Sequence, residues 1–385
     1  MGLTVLFNNN YEKHRVDGLE SKYLPFLKLK SYLDQNFPDK ISIGKSFLGN
    51  EIFQLKIGTG KVKILIWSQM HGNESTGTRA MLDVFSFLKS ETSWSDVILK
   101  ELCIYYIPML NPDGSSLYTR RNAAGIDLNR DFLQEASPEI KVLKAAVSEI
   151  QPDFMFNLHD QRSIFNVGDQ SKPATMAFLA PSPDEIRSVT ESRIKAMAVI
   201  DHMVKGLEAV IPGHLSRFTD EFYPNSTGDN FTKLGFPCIL FEAGHFPNDY
   251  SRNQVRKFNA LAILLAFERI SRSDVMEKRN YDNIPLNQKK YLDIILRNVQ
   301  VESSESHAIL DIGIYFEERV DLESQEVIYC SKIEEIGDLS AYYGHLDQDM
   351  KGEKYHGKSS VFPVIGELAD FSVGNIHFEN GNFKG

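Results

Sequence analysis

The stretch Val62-Lys63-Ile64-Leu65-Ile66-Trp67-Ser68-Gln69-Met70-His71-Gly72-Asn73-Glu74 decides how the rest of the chain is read. From Val62 to Met70 the run is apolar and β-branched enough for a buried strand, and it stops at His71. From Glu74 to Lys89 the apolar residues Ala80, Met81, Val84, Phe85 and Leu88 recur at helical spacing, so an amphipathic helix follows the strand. A strand that turns into a helix through His-Gly-Asn-Glu is an α/β unit, with two polar side chains at the strand's exit.

The same alternation continues outward. Leu102 to Leu110 is a second apolar run, ending at the turn sequence Asn111-Pro112-Asp113-Gly114. Ser137-Pro138-Glu139 supplies an N-cap, a proline at the first helical position and an early acid, which predicts a helix over Pro138 to Ile150. Asp153 to His159, Thr175 to Ala180 and Phe236 to Phe241 read as further strands, and Asp184 to Val210 and Ser251 to Ile270 as helices. The polar stretch Ser271 to Asn283 reads as a linker. Beyond Pro285 the texture changes to the β-rich runs Leu292 to Val301, Ala308 to Phe316 and Glu326 to Ser331. The expected organisation is a domain over 1–272 and a small β-rich domain over 285–385.

Composition bounds the function. The chain has 385 residues, 42% of them hydrophobic and 24% charged, which is ordinary globular material for two domains. A formal charge of −10 without a basic run argues against nucleic acid or an anionic membrane surface as partner. The only three cysteines, Cys103, Cys238 and Cys330, are far apart and odd in number, which favours reduced thiols over a disulfide framework. Met1-Gly2-Leu3-Thr4-Val5-Leu6 lacks the features of a secretory signal, and no apolar stretch approaches the roughly 20 residues of a membrane span. These features lead to the expectation of a cytoplasmic protein. They leave its oligomeric state open.

Chemistry concentrates in three segments: His71 with Glu74, Arg120-Arg121-Asn122 leading to Asp127-Leu128-Asn129-Arg130, and Asn157-Leu158-His159. Two imidazoles and one carboxylate suit a tetrahedral zinc ion and leave its fourth position open, which marks catalysis rather than structure. Taken alone, His71 and Glu74 read equally well as a hydrogen-bonded histidine and a capping acid at a strand-to-helix turn.

The ordered series resolves that choice. His71-x-x-Glu74, Asn111-Pro112-Asp113-Gly114, Arg120-x-Asn122, Asp127-Leu128-Asn129-Arg130, Asn157-Leu158-His159, Tyr223-Pro224-Asn225-Ser226-Thr227-Gly228 and Phe241-Glu242 together resemble the M14 (carboxypeptidase A-like) family of zinc metallocarboxypeptidases over roughly residues 40 to 270. The resemblance implies an α/β fold with a mixed eight-stranded sheet flanked by helices. It implies one zinc ion held by His71, Glu74 and His159, and a peptide with a free C-terminus as substrate. Glu242 resembles the family's general base, which takes a proton from water and passes it to the leaving amine. Arg120 matches the position that faces the oxyanion, with Arg121 as rival by one register step. Asn129 and Arg130 would hold the terminal carboxylate, and Tyr223 resembles the mobile tyrosine that closes over it.

Other readings stand beside these. Arg130 could pair with Asp127 or Asp131, and Tyr223 could be a packed loop residue. Asp229 or Asn230 could line the side-chain pocket, where an acid would favour a cationic substrate group, or Asp229 could cap a helix. His245 reads either as support behind the site or as an ordinary loop histidine. The activity implied is a zinc exopeptidase. The alternatives are a zinc deacylase or amidase acting on N-acyl amino acids or cell-wall peptides, and a non-catalytic peptide-binding relative.

Overall fold

The computed structural model describes residues 2–90, 92–272, 276–278, 280–321, 323–358 and 360–384. The chain divides into two compact units, one of residues 1–161 with 174–287 and the other of 162–173 with 288–385. The second unit therefore includes a short excursion that leaves the first between Gln161 and Ala174. Among the described residues no helix is long and apolar enough to cross a membrane.

In chain order the helices are α1 (Leu3–His14), α2 (Phe26–Asn36), α3 (Thr76–Leu88), α4 (Ser93–Glu101), α5 (Pro112–Leu117), α6 (Pro138–Ile150), α7 (Glu191–Glu208), α8 (Thr227–Lys233) and α9 (Asn253–Ser271). The first nine strands are β1 (Ile41–Lys45), β2 (Glu51–Ile57), β3 (Val62–Trp67), β4 (Leu102–Ile107), β5 (Phe154–Asp160), β6 (Phe165–Val167), β7 (Met176–Leu179), β8 (Leu215–Arg217) and β9 (Cys238–Ala243). All but β6 form one eight-stranded sheet in the order β1-β2-β4-β3-β5-β9-β7-β8. Its centre, β4-β3-β5-β9, is parallel, and antiparallel pairs join β2 and β7 to it. The sheet is mixed and flanked by helices, as expected.

Period-two alternation assigns the two faces. Ile64 and Ile66 of β3, Phe154, Phe156 and Leu158 of β5, and Ile239 and Phe241 of β9 enter one core, with α1, α2, α3, α7 and α9. Leu65 and Trp67 of β3, Met155 of β5 and Cys238 of β9 enter the other, with α6 and Phe231 of α8. His159 shares the parity of Met155, and Glu242 that of Cys238. Both therefore stand on the second face, at the carboxyl ends of neighbouring parallel strands.

Three expectations shift. The turn read at Asn111–Gly114 is the start of α5, because the Asn111 side chain accepts from Gly114 N at 2.8 Å and caps a helix. The helix expected from Asp184 begins at Glu191. Asp184 caps only its own turn through Ser188 N at 2.9 Å, and Thr190 caps the helix proper. Within the stretch read as a linker, residues 276–278 and 280–283 are described and Tyr281 is buried, while residues 273–275 and 279 lie outside the described residues.

In the second unit β10 (Asn287–Lys289) pairs with β6. Strands β11 (Tyr291–Glu302), β12 (His307–Asp321), β13 (Glu326–Gly337) and β14 (Tyr343–Asp349) form a sheet in the order β13-β12-β11-β14. Strands β15 (Tyr355–Gly357), β16 (Phe371–Val373), β17 (Ile376–Glu379) and β18 (Asn382–Phe383) form another. Ile294, Leu296, Ile312, Ile314, Phe371, Val373 and Phe378 make a core of this unit's own.

Candidate metal centre

The strand-to-helix turn after β3 is a tight loop in which Glu74 N donates to His71 O at 3.1 Å. Gly72 is obligatory there, because a Cβ would lie 2.0 Å from the carbonyl carbon of Gly114. The loop thus packs backbone to backbone against α5 and aims His71 and Glu74 at the carboxyl end of β5.

Three candidate ligands meet. His71 Nδ1 lies 2.8 Å from Glu74 Oε1, His159 Nδ1 lies 2.7 Å from Glu74 Oε2, and the two Nδ1 atoms are 3.0 Å apart. All three residues are buried, and their ligand atoms lie within 4.8 Å of one another. Ligands about 2.0–2.1 Å from a tetrahedral ion stand roughly 3.3 Å apart, so this triad needs only a few tenths of an ångström of expansion to hold zinc. The donor chemistry agrees. Two Nδ1 atoms and one carboxylate converge on one point, a donor set that a bound cation would satisfy together. Burial alone would raise Glu74, but His71 and His159 outweigh it and hold the carboxyl well below its usual range. Burial pulls His159 down.

Asp127, whose role the sequence reading left unassigned, stands behind this cluster. Its Oδ1 is 3.2 Å from His71 Nε2. The hydrogen on His71 therefore belongs on Nε2, which leaves the Nδ1 lone pair for a metal. Burial would raise the Asp127 carboxyl, but the hydrogen bond to His71 and the charges of His71 and Arg120 hold it far below normal. The outer Nε2 of His159 is buried and has no acceptor among the described residues.

The Arg120–Arg130 loop sorts the two arginines. Asn122 ties it down, accepting from Ala124 N and Ile126 N and donating to Glu139 Oε2. Arg120 then reaches Asp127 Oδ2 at 3.0 Å, with a terminal nitrogen 3.1 Å from His71 Nδ1 and 3.5 Å from Glu74 Oε1. Arg121 donates to Gly125 O of its own loop instead. Arg120 is the arginine at the cluster.

Glu242 pairs with His159 in the parallel β5–β9 register. Burial and the like charges of Glu74 and Asp160 push its carboxyl well above the usual range. A dication between them would reverse that repulsion. Asp160, also unassigned in sequence, accepts from the Thr76 hydroxyl at 2.7 Å, and Arg252 donates to Gln161 O at 2.6 Å and to Ala243 O, at the ends of the two strands.

Further along the crevice, Asn129 Oδ1 accepts from Thr227 N at 3.1 Å, and the Arg130 guanidinium lies over the Tyr223 ring, 5.4 Å from its centroid. Arg130 thus stacks on Tyr223, and one of its terminal nitrogens donates to Asn129 O at 2.8 Å. Asp229 and Asn230 both turn inward on the 223–226 segment. His245 is buried, its ring against Tyr250 and its carbonyl accepting from Thr175.

Comparison with known proteins points to a zinc carboxypeptidase fold. The peptidase M14 model, described as zinc carboxypeptidase, matches residues 27–199. Carboxypeptidase 2 of Trichophyton rubrum is 30% identical over 100 residues, 26% of this chain and 19% of the fungal protein. Among solved structures, carboxypeptidase A of Helicoverpa armigera superposes with a TM-score of 0.54 at 14% identity, covering 69% of this chain and 80% of that one. A metallo-carboxypeptidase of Burkholderia cenocepacia does so with a TM-score of 0.50 at 20% identity, covering 64% and 68%. At such identities the superpositions speak to the fold. The match spans about a fifth of the length of the fungal relative.

Proposed function

We propose, from the match of residues 27–199 to the M14 zinc carboxypeptidase model, that this chain is a zinc-dependent exopeptidase that hydrolyses the C-terminal amide bond of peptides. The observation that carries the reading is the convergence of the buried His71, Glu74 and His159 ligand atoms beside Arg120, with Glu242 in register with His159.

His71, Glu74 and His159 would hold a zinc ion, which would supply Lewis-acid chemistry to the scissile carbonyl and to water. Glu242 would take a proton from the attacking water and deliver it to the leaving amine. Arg120, held at the triad by Asp127, presents its guanidinium to the negative charge that develops on the carbonyl oxygen. Asn129 and Arg130 receive the substrate's terminal carboxylate. Thr227 N occupies Asn129 Oδ1, so the amide's Nδ2 is the end left to donate. Tyr223 stands over Arg130 and covers the terminal residue.

Metal removal tests this directly. Dialysis against a chelator is expected to abolish trimming, and one equivalent of zinc per chain to restore it. Zinc at 100 times its Kd adds about 2.7 kcal/mol to stability, so the thermal midpoint should rise on reloading. Trimming that survives complete chelation would contradict the proposal.

A further inference from the structure

The backbone of the Tyr223 turn is tied down by several hydrogen bonds. Asp229, 5% exposed, accepts from Tyr223 N through Oδ1 at 3.3 Å. Asn230, also 5% exposed, donates from one Nδ2 to Pro224 O and Ser226 O, both at 2.7 Å. The next residue along, Thr227, bonds to the other segment of the crevice, its N to Asn129 Oδ1 at 3.1 Å and its hydroxyl to Leu128 O at 3.4 Å. Asn129 N is itself held by Asp127 Oδ1 at 3.0 Å, and Asp127 also holds His71. A continuous chain of hydrogen bonds thus runs from the metal triad through Asp127 and Asn129 to the turn that presents Tyr223.

We infer that Asp229 and Asn230 are positioning residues that hold Tyr223 over Arg130, and the Asn129 amide outward, before any ligand arrives, so that the terminal-carboxylate cradle is preassembled rather than closed by the substrate. Asp229 Oδ1 and Asn230 Nδ2 both serve this turn. On this reading Asp229 organises the turn instead of reading a cationic substrate side chain. Burial raises its carboxyl, in keeping with an inward-facing group that need not carry charge. Preassembly spares the substrate the ordering of a loop, so its loss is felt in binding more than in turnover.

The functional consequence rests on the exopeptidase reading, while the lock itself is tested without it. Amide hydrogen exchange on the zinc-loaded protein without substrate should show Tyr223 N–H and Thr227 N–H protected, and Asp229→Ala should release Tyr223. Exchange of both amides at the rate of an unstructured peptide in the wild type overturns the inference. In kinetics with a free-ended peptide, Asp229→Ala and Asn230→Ala should each raise KM roughly 10- to 100-fold with kcat changed less than about twofold. Asp229→Asn, which keeps the Oδ1 acceptor, should retain the wild-type KM. Unchanged KM in the alanine variants, or equal damage from Asp229→Asn, overturns it as well. If the wild type trims no peptide, the exopeptidase reading falls and the exchange result alone decides whether the turn is locked.

Discussion

Replacing Glu242 by glutamine is expected to lower kcat/KM for peptide trimming by roughly 10²- to 10⁴-fold, the range that a positioned general base contributes. Glutamine keeps the volume and the carbonyl oxygen of the glutamate but cannot take a proton. Glu242 also lies outside the buried ligand triad, so zinc affinity in Glu242→Gln should stay close to wild type. The two measurements separate chemistry from metal loading. A variant that loses zinc as well as activity would make Glu242 a ligand or a structural acid. Trimming within about threefold of wild type would remove it from the reaction.

The second large effect concerns stability, at a site remote from catalysis. Asp83 of α3 and Arg256 of α9 form an ion pair whose side chains are both 0% exposed, with nitrogen–oxygen distances of 2.7 and 2.6 Å. Tyr11 Oη and Val16 N complete four hydrogen bonds to the carboxylate, and Arg256 also donates to Val16 O and Leu19 O. Burial pulls the Asp83 carboxyl upward and the Arg256 guanidinium downward, but Asp83 outweighs burial and leaves Arg256 net raised, so we read the pair as ionised. Asp83→Ala strands a buried guanidinium together with a phenol and an amide. It is expected to lose about 3–5 kcal/mol of folding stability, read from the denaturant midpoint at unchanged slope. A loss below about 1 kcal/mol would mean that water reaches Arg256 and that the pair does not join α3, α9 and the segment after α1.

The sequence made the central layer legible because strands buried on both faces write unbroken apolar runs. Val62–Met70 and Asp153–His159 were readable for that reason, and Ser137-Pro138-Glu139 marked the start of α6 through cap chemistry that the structure repeats. Helix α1 was not readable, since Leu3, Phe7 and Tyr11 are its buried residues and their narrow stripe is interrupted by Asn8, Asn9 and Asn10. Strand β1 lies at the edge of the sheet and carries no fully buried residue, so its alternation is faint.

The site divides in the same way. His71, Glu74 and His159 were legible as residue types that coordinate metal, and the choice of Arg120 over Arg121 needed the loop that Asn122 folds. Asp127 was visible as a letter in Asp-Leu-Asn-Arg, but its role depends on which ring nitrogen of His71 it meets. Asp229 was ambiguous for a physical reason, because a buried acid in the first turn of a helix has the same sequence signature whether it organises a turn or lines a pocket.

The most direct test of the central claim is to incubate the zinc-loaded protein with matched peptides, one set with free and one with amidated C-termini, and follow their masses. Loss of single residues from the free-ended set alone is expected, because Asn129 and Arg130 wait for a carboxylate. Equal trimming of both sets, cleavage at internal bonds, or no cleavage of either while an N-acyl amino acid is hydrolysed would contradict it.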